Sequence, residues 1–471
     1  MHPVGKNLLI LVAGLASLSH ASVSQPPNVV LIVADDLNSY AFYGTHPQAR
    51  MPHMDDFRNT AVTFDLAYCA APACAPSRAS MLTGRYPHST GQYWNGAQGD
   101  APFWENPIFT PLESLPETFR RNGYTTWGAG KLQHARWPDN RERAAWDNYP
   151  PHGGGFGPFV PEEAAIEGDR FWGAHEWTGP DTDFPDVVNT NAAIEFLEKE
   201  HDKPFFMMVG LWRPHTPFTA PKRFFDLFDP DEIQVPPPAY LEGDLEDVPQ
   251  EGMSISGIWG KRWLNSGKDH PERWRRLMHG YLAATAFADW SAGRVIEALD
   301  VSPYGKNTIV IFWSDNGFHM GEKDHFEKCT LWEAAAQTPL AIRMPGRRNA
   351  GTTSTRPVNA IDFFPTLVDL CGLQPPPQEL EGQSLRPLLE NPTATWDHPA
   401  LTTYGEGYFS ARDERFRYIR YPDHTEELYD HQADPDEFRN LANDPDYQAV
   451  KERLRQYVPK TWARNLGGRR G

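Results

Sequence analysis

The segment Asn28-Val29-Val30-Leu31-Ile32-Val33-Ala34 is apolar almost without a break and stops at Asp35-Asp36. A strand with apolar side chains on both faces has no wet side, so it belongs inside a sheet covered on both sides. Three further runs have the same form. Thr308 to Trp313 ends in Ser314-Asp315-Asn316-Gly317, and Pro204 to Gly210 leads into Arg213-Pro214-His215. The weaker Tyr124 to Ala129 leads to Lys131 and His134. Helical patterns lie between them, at Glu117 to Asn122, Val187 to Glu200 and Trp274 to Leu299. Strands alternating with helices predict an α/β fold, with its site beyond the carboxyl ends of the strands, where the polar clusters fall.

Two stretches, 148–185 and 229–267, lack periodicity and carry many Gly, Pro, Trp and Asp residues. Their aromatic content makes them pocket walls rather than disordered linkers. Helix-like runs at Asp362 to Leu370 and Ser384 to Leu389 close the main unit. Strand patterns at Ala400 to Tyr404 and Phe416 to Tyr421, then a helix from Tyr447 to Val458, predict a smaller α+β tail. The expected organisation is a main catalytic unit over 22–390 and a small unit over 391–471.

Residues 1–21 read as a secretory signal. Lys6 supplies the charge, Leu8 to Leu18 the apolar stretch and Ser19-His20-Ala21 the cleavage site. That stretch is too short for a membrane span, so a periplasmic or secreted protein with no stable membrane insertion is expected. The net charge of −18 argues against a nucleic-acid partner. Sixteen tryptophans suit stacking on sugar faces and equally suit core packing. Four cysteines, Cys69, Cys74, Cys329 and Cys371, are few for an exported chain.

Asp35-Asp36 and Asp315-Asn316 stand at two strand exits far apart in sequence. Carboxylates crowded together repel, and a hard cation relieves them; oxygen ligands select Ca²⁺ or Mg²⁺ over zinc. Composition alone leaves a cation site and a pair of turn or cap motifs equally open.

The densest motif is Cys74-Ala75-Pro76-Ser77-Arg78, followed by Leu82-Thr83-Gly84-Arg85. It resembles the signature of type I, formylglycine-dependent sulfatases of the alkaline phosphatase superfamily. Gly130-Lys131-Leu132-Gln133-His134, Arg213-Pro214-His215-Thr216-Pro217-Phe218 and the span from Asp315 to Lys328 are similar to segments of the iduronate-2-sulfatase branch and its bacterial relatives. Glu427-Leu428-Tyr429-Asp430 with Asn440-Leu441-Ala442 resembles the C-terminal segment of that family. The motifs stand in family order across nearly the whole chain.

The resemblance implies an alkaline-phosphatase-like architecture, a large mixed sheet sandwiched by helices with a smaller C-terminal α+β domain. It implies that a maturation enzyme oxidises Cys74 to formylglycine (3-oxoalanine), whose hydrate attacks sulfur. A thiolate would trap sulfate, whereas a geminal diol expels it by collapsing to the aldehyde. Conversion would leave three cysteines, enough for one disulfide at most. It further implies one divalent cation, Ca²⁺ with Mg²⁺ as second choice, held by Asp35, Asp36, Asp315 and Asn316 with the converted Cys74. Arg78 and Lys131 would hold hydrate and sulfate oxygens, and His134 would take a proton from the second hydroxyl. His215 and Lys328 would face the bridging oxygen, one of them protonating the departing alcohol.

His319, Lys323 and His325 read equally as substrate contacts or as an exposed loop face, and Arg136, Trp94 and Trp212 as pocket lining. The expected substrate is a sulfated carbohydrate, with a 2-O-sulfated uronic acid suggested by the branch. The alternatives are a phosphonate or phosphate diester hydrolase of the same superfamily and an inactive module that binds sulfated glycans.

Overall fold

The first apolar run forms strand β1 (Asn28–Asp35), with all eight residues buried. The computed structural model describes residues 26–95, 104, 106–134, 140–150, 155–256 and 260–465; the signal-like segment 1–21 and Arg136 lie outside them. With β1, six strands make the main sheet: β2 (Val62–Phe64), β3 (Thr125–Gly130), β4 (Phe205–Pro214), β5 (Thr308–Ser314), β6 (Leu340–Arg343) and β7 (Thr352–Ser354), in the order β7-β2-β6-β5-β1-β4-β3. Neighbours pair in parallel except around β6, which runs antiparallel to both β5 and β2. One reversed strand is therefore what makes the sheet mixed.

Alternate side chains of β1 enter two separate cores, as a period of two requires. Val29, Leu31 and Val33 pack on one face with helices α1 (Cys74–Thr83), α2 (Leu115–Arg121) and α5 (Phe363–Cys371). Val30, Ile32 and Ala34 pack on the other with α3 (Pro185–Leu197) and α4 (Pro271–Val301). Each fully buried aliphatic side chain contributes roughly 1.5–3 kcal/mol, so the two-sided core explains why these strands are the most legible in the sequence.

The two aperiodic stretches are more ordered than loops. The first contains strand Ala174–Trp177, parallel to Phe218–Pro221, and the second contains helices Gln250–Ser256 and Gly260–Ser266. The tail holds four antiparallel strands where two were expected: β8 (Ala400–Thr403), β9 (Phe409–Arg412), β10 (Phe416–Arg420) and β11 (Glu426–Asp430). Tyr418 and Leu428 face helix α6 (Gln448–Arg455), while Ile419 and Tyr429 face the main unit beside Trp332. All four cysteines are free and buried. Among the described residues no helix is long and apolar enough to cross a membrane.

Candidate active site

Register brings the two acidic strand exits together. Ala34 of β1 pairs with Ser314 of β5, so Asp35-Asp36 and Asp315-Asn316 leave the sheet side by side. The Asp36 N–H donates to Asp315 Oδ1 at 3.3 Å, and the Leu37 N–H donates to Ser314 Oγ at 3.0 Å. Asp36 turns with φ 63°, a left-handed conformation rare outside glycine. Tyr281 of α4 holds this turn, its hydroxyl donating to Asp36 O at 2.9 Å.

Helix α1 delivers Cys74 and Arg78. Cys74 is its first residue, the preceding Ala73 offers no side-chain cap, and Asn95 Oδ1 accepts the Ala75 N–H at 3.0 Å instead. Four residues separate Cys74 from Arg78, so both side chains lie on one helix face. Arg78 is fully buried and donates from Nε to Asp315 Oδ2 at 2.7 Å and from Nη1 to the Lys131 carbonyl. That carbonyl is reachable because β3 and β4 touch backbone to backbone: a Cβ on Gly130 would lie 1.9 Å from Gly210 O.

Three carboxylates thus meet three cations in a dry site. Asp35 pairs with Lys131, Asp36 with Lys328 and Asp315 with Arg78, and none of the six is more than 4% exposed. Cys74 Sγ lies within their reach, 3.0 Å from Lys328 Nζ and 3.4 Å from Asp35 Oδ1. Burial alone would raise the Asp35 carboxyl; Lys131, His215 and Arg78 outweigh it and hold it below the usual carboxylate range. Lys328 and His215 do the same for Asp36. Burial, then Asp35, push the Cys74 thiol far up, so the unmodified residue is no ready thiolate.

His215 donates from Nδ1 to Thr216 O at 2.6 Å, which leaves Nε2 facing Asp36 Oδ2 at 3.6 Å. Its ring is lowered to about 4, mainly by burial. His134 is lowered well below its ordinary value by burial and by the charges of Lys131, Lys328, His215 and Arg78, which puts it in the same cluster. Its Nδ1 has no hydrogen-bond partner among the described residues. Direct contacts through Asp35, Asp36 and Asp315 bring Arg78, Lys131, His215 and Lys328 together with Cys74, and His134 lies within reach of their charges.

The fit to a divalent cation can be tested on the donors themselves. Single ligand atoms of Asp35, Asp36, Cys74 and Asp315 lie within 4.8 Å of one another. Asn316 donates from Nδ2 to Asp36 Oδ1 at 2.8 Å, leaving a buried Oδ1 with no partner among the described residues. A buried acceptor orphaned beside three acidic side chains suits a hard cation. A second group, Glu333, His431 and Glu437, has similar spacing, but Arg417 already ion-pairs with both of its carboxylates.

The loop residues are corrected by burial. His319, Lys323 and His325 are all under 4% exposed, so they form no exposed face. His319 Nε2 bonds to Thr330 Oγ1 at 2.8 Å, His325 Nε2 to Lys328 O at 3.0 Å, and Lys323 to Asp244 at 3.1 Å and to the Glu437 carbonyl at 2.5 Å. Their side chains brace the loop that presents Lys328. His319 and Lys323 line a cavity of about 530 Å³ against the C-terminal sheet, which none of the six catalytic candidates lines. Trp212 lies under Lys131, whose Nζ is 5.7 Å from its ring centroid. Trp94 packs on Tyr404. Ser77, which donates to Asp315 O at 2.5 Å, Phe156, whose ring centroid is 5.8 Å from Lys131 Nζ, Asn95 and Tyr281 support the site and were missed by sequence reasoning; only Ser77, inside the motif, carried a signal.

Comparison with known proteins agrees with this geometry. The sulfatase family pattern matches residues 27–373, and the pattern for the C-terminal part of N-sulphoglucosamine sulphohydrolase matches residues 321–463. A sulfatase of Formosa agariphila is 35% identical, covering 92% of this chain and 87% of its own. Mouse iduronate 2-sulfatase is 29% identical over 76% of this chain and 71% of its own. A solved structure in complex with its substrate D-glucosamine-2-N,6-O-disulfate has the same fold, with TM-score 0.70, 22% identity and coverage of 92% of this chain and 96% of that one. The chain belongs to the sulfatase family and is a sulfuric ester hydrolase.

Proposed function

We propose that this chain is an exported sulfatase that removes sulfate from a sulfated carbohydrate, with the oxidised form of residue 74 as its nucleophile. The observation that carries the reading is the convergence on one atom. Cys74 Sγ sits 3.0 Å from Lys328 Nζ inside a buried set of three carboxylates and three cations. Here the sulfur stands in for an oxygen of the converted residue. An aldehyde hydrate at that position supplies one hydroxyl to attack sulfur and a second whose deprotonation expels sulfate.

Asp35, Asp36, Asp315 and Asn316 are the residues that would hold a divalent cation, Ca²⁺ before Mg²⁺, which polarises sulfate oxygens when bound. Lys131 and Arg78, both buried, offer charge-assisted donors to anionic oxygens. His134, whose Nδ1 has no hydrogen-bond partner among the described residues, accepts the proton of the second hydroxyl. Lys328 and His215 are the two groups able to protonate the departing alcohol. A sugar alcohol is a poor leaving group, so that proton matters more than it would for a phenol. The name of the mouse relative and the sugar disulfate bound by a protein of the same fold support a carbohydrate substrate.

The test is inorganic sulfate released from a panel of sulfated mono- and oligosaccharides by protein made together with the maturation enzyme. Cys74→Ala is expected to lower the rate by at least about a thousandfold while the protein still folds. Release near the parent rate would rule out this nucleophile. Faster turnover of a matched phosphate diester or phosphonate than of any sulfate ester would move the reaction to phosphorus.

A further inference from the structure

Beside His215 the aperiodic stretch builds a file of aromatic rings that leads out of the catalytic cluster. The Phe156 ring packs on His215 with centroids 4.5 Å apart and on Trp212 at 4.8 Å. Lys131 Nζ stands 5.8 Å from its centroid. Phe171 meets Phe156 edge-on at 5.3 Å, and Phe159 meets Phe171 at 4.9 Å. The inner ring touches the catalytic histidine and the outer two are open to water, Phe159 being 38% and Phe171 37% exposed. At the outer end the Arg170 guanidinium carbon lies 6.0 Å from the Phe159 centroid.

The exposure of these rings is built in. Val160, Ala164, Ile166 and Trp172 of the same segment are buried. Arg213 donates to Phe156 O at 2.6 Å, Thr219 to Pro158 O at 2.7 Å and Arg170 to Val160 O at 2.9 Å. Arg262 clamps the turn, pairing with Asp169 at 2.9 Å and lying 4.5 Å from the Trp172 ring centroid. A segment anchored this firmly holds two phenylalanines at the surface. Exposed aromatic rings continuous with a reaction site mark a binding surface.

We infer that Phe156, Phe171 and Phe159, with Arg170, form a subsite for the sugar units next to the sulfated one, so that the substrate is an anionic oligosaccharide. This rests on the sulfatase reading above and deepens it. A pyranose presents an apolar C–H face that packs on an aromatic ring, and the file begins at the histidine nearest the departing alcohol. The leaving sugar therefore emerges onto Phe156, and the following unit reaches Phe171 and Phe159. Arg170 supplies a positive charge in a chain of net charge −18, complementary to a carboxylate or second sulfate on the outer unit.

The test uses full-length, matured enzyme and the ratio of kcat/KM on a sulfated tri- or tetrasaccharide to that on the matching sulfated monosaccharide. The parent ratio is expected to exceed about ten, and the Phe159→Ala/Phe171→Ala double variant to bring it down towards one through KM. Arg170→Gln is expected to weaken the preference for glycans charged on the outer unit. Phe171→Leu keeps the volume and removes the aromatic face, so it separates lost stacking from lost folding; Phe171→Tyr should restore the ratio. A parent ratio near one, or a ratio unchanged in both the double variant and Phe171→Leu, would overturn the subsite. Should the parent hydrolyse no sulfated sugar, the sulfatase reading fails separately. The subsite is then judged by calorimetric binding of the desulfated oligosaccharide, with weaker binding by the variants supporting it. Equal binding by parent and variants, or none at all, refutes it.

Discussion

Asp35, Asp36 and Asp315 each have one cation of their own, and each cation comes from a different segment: Lys131 after β3, Lys328 from the braced loop, Arg78 from α1. Buried charge without a partner is strongly unfavourable, so the residues proposed to perform the chemistry also hold the site together. His215 is different. It has 15% side-chain exposure and only a long ion-pair contact to Asp36, which Lys328 already pairs, so it can be removed without stranding a charge. His215→Ala is expected to lower sulfate release from sugar sulfates at least tenfold more than from an activated aryl sulfate, because only the sugar alcohol needs protonation as it leaves. Parallel rate measurements on both substrates check this, and equal losses would show that His215 binds sulfate instead.

The six positions proposed as catalytic could be singled out because their spacing resembles that of a known family. The residues that support them could not. Asn95 reaches the start of α1 from twenty residues away, and Tyr281 reaches Asp36 from 245 away, contacts that leave no local pattern. His319, Lys323 and His325 misled for a similar reason. Polar residues in a loop read as exposed unless one knows what they meet, and here Lys323 meets Asp244 and the Glu437 carbonyl, His319 meets Thr330 and His325 meets the Lys328 carbonyl.

Among elements, the strands readable from sequence are those covered on both faces. β1, β4 and β5 are apolar at nearly every position because helices pack against both sides of them. β2 and β7 have three residues each, and β6 has four, too short for any periodicity to show. β11, Glu426 to Asp430, looks like a loop in composition because its acids are used inside: Glu427 accepts from Tyr421, Tyr429 and Trp332. The junction of β3 and β4 makes an element-scale prediction. A Cβ on Gly210 would lie 2.0 Å from the Lys131 carbonyl, the group that receives Arg78. Gly210→Ala is expected to cost at least about 3 kcal/mol in stability and to depress turnover in whatever fraction still folds, measured by denaturant unfolding and sulfate release. Gly260→Ala is the control for lost glycine flexibility, since its φ is likewise not positive and a Cβ there meets nothing within 4 Å.

At the scale of the whole molecule, the C-terminal sheet is fastened to the main unit by buried polar contacts as well as by apolar packing. Arg417 of β10 is fully buried and pairs with Glu333 and Glu437. Buried acids also make overall stability depend on pH. Burial pushes the Asp362 carboxyl up to about 7, against two backbone N–H donors from Asn359 and Gln383 at 2.8 Å that pull it down. A folded carboxyl above its unfolded value binds more protons folded than unfolded. Its contribution is complete below about pH 4 and is lost as pH rises through about 7. Asp362→Asn is therefore expected to flatten the fall in unfolding free energy between about pH 5 and pH 8, measured by denaturant unfolding, by an amount on the order of 2 kcal/mol. A parallel slope in parent and variant would assign the effect to other groups.

The most direct measurement is the mass of the peptide from Asn59 to Arg78, taken from protein that releases sulfate and was made together with the maturation enzyme. This peptide contains both Cys69 and Cys74, and fragmentation distinguishes them. A loss of about 18 Da located at Cys74, with Cys69 unchanged, is expected from exchange of a thiol for an aldehyde. An intact thiol at Cys74 in protein with full sulfate release would contradict the assignment of the nucleophile and the mechanism built on it.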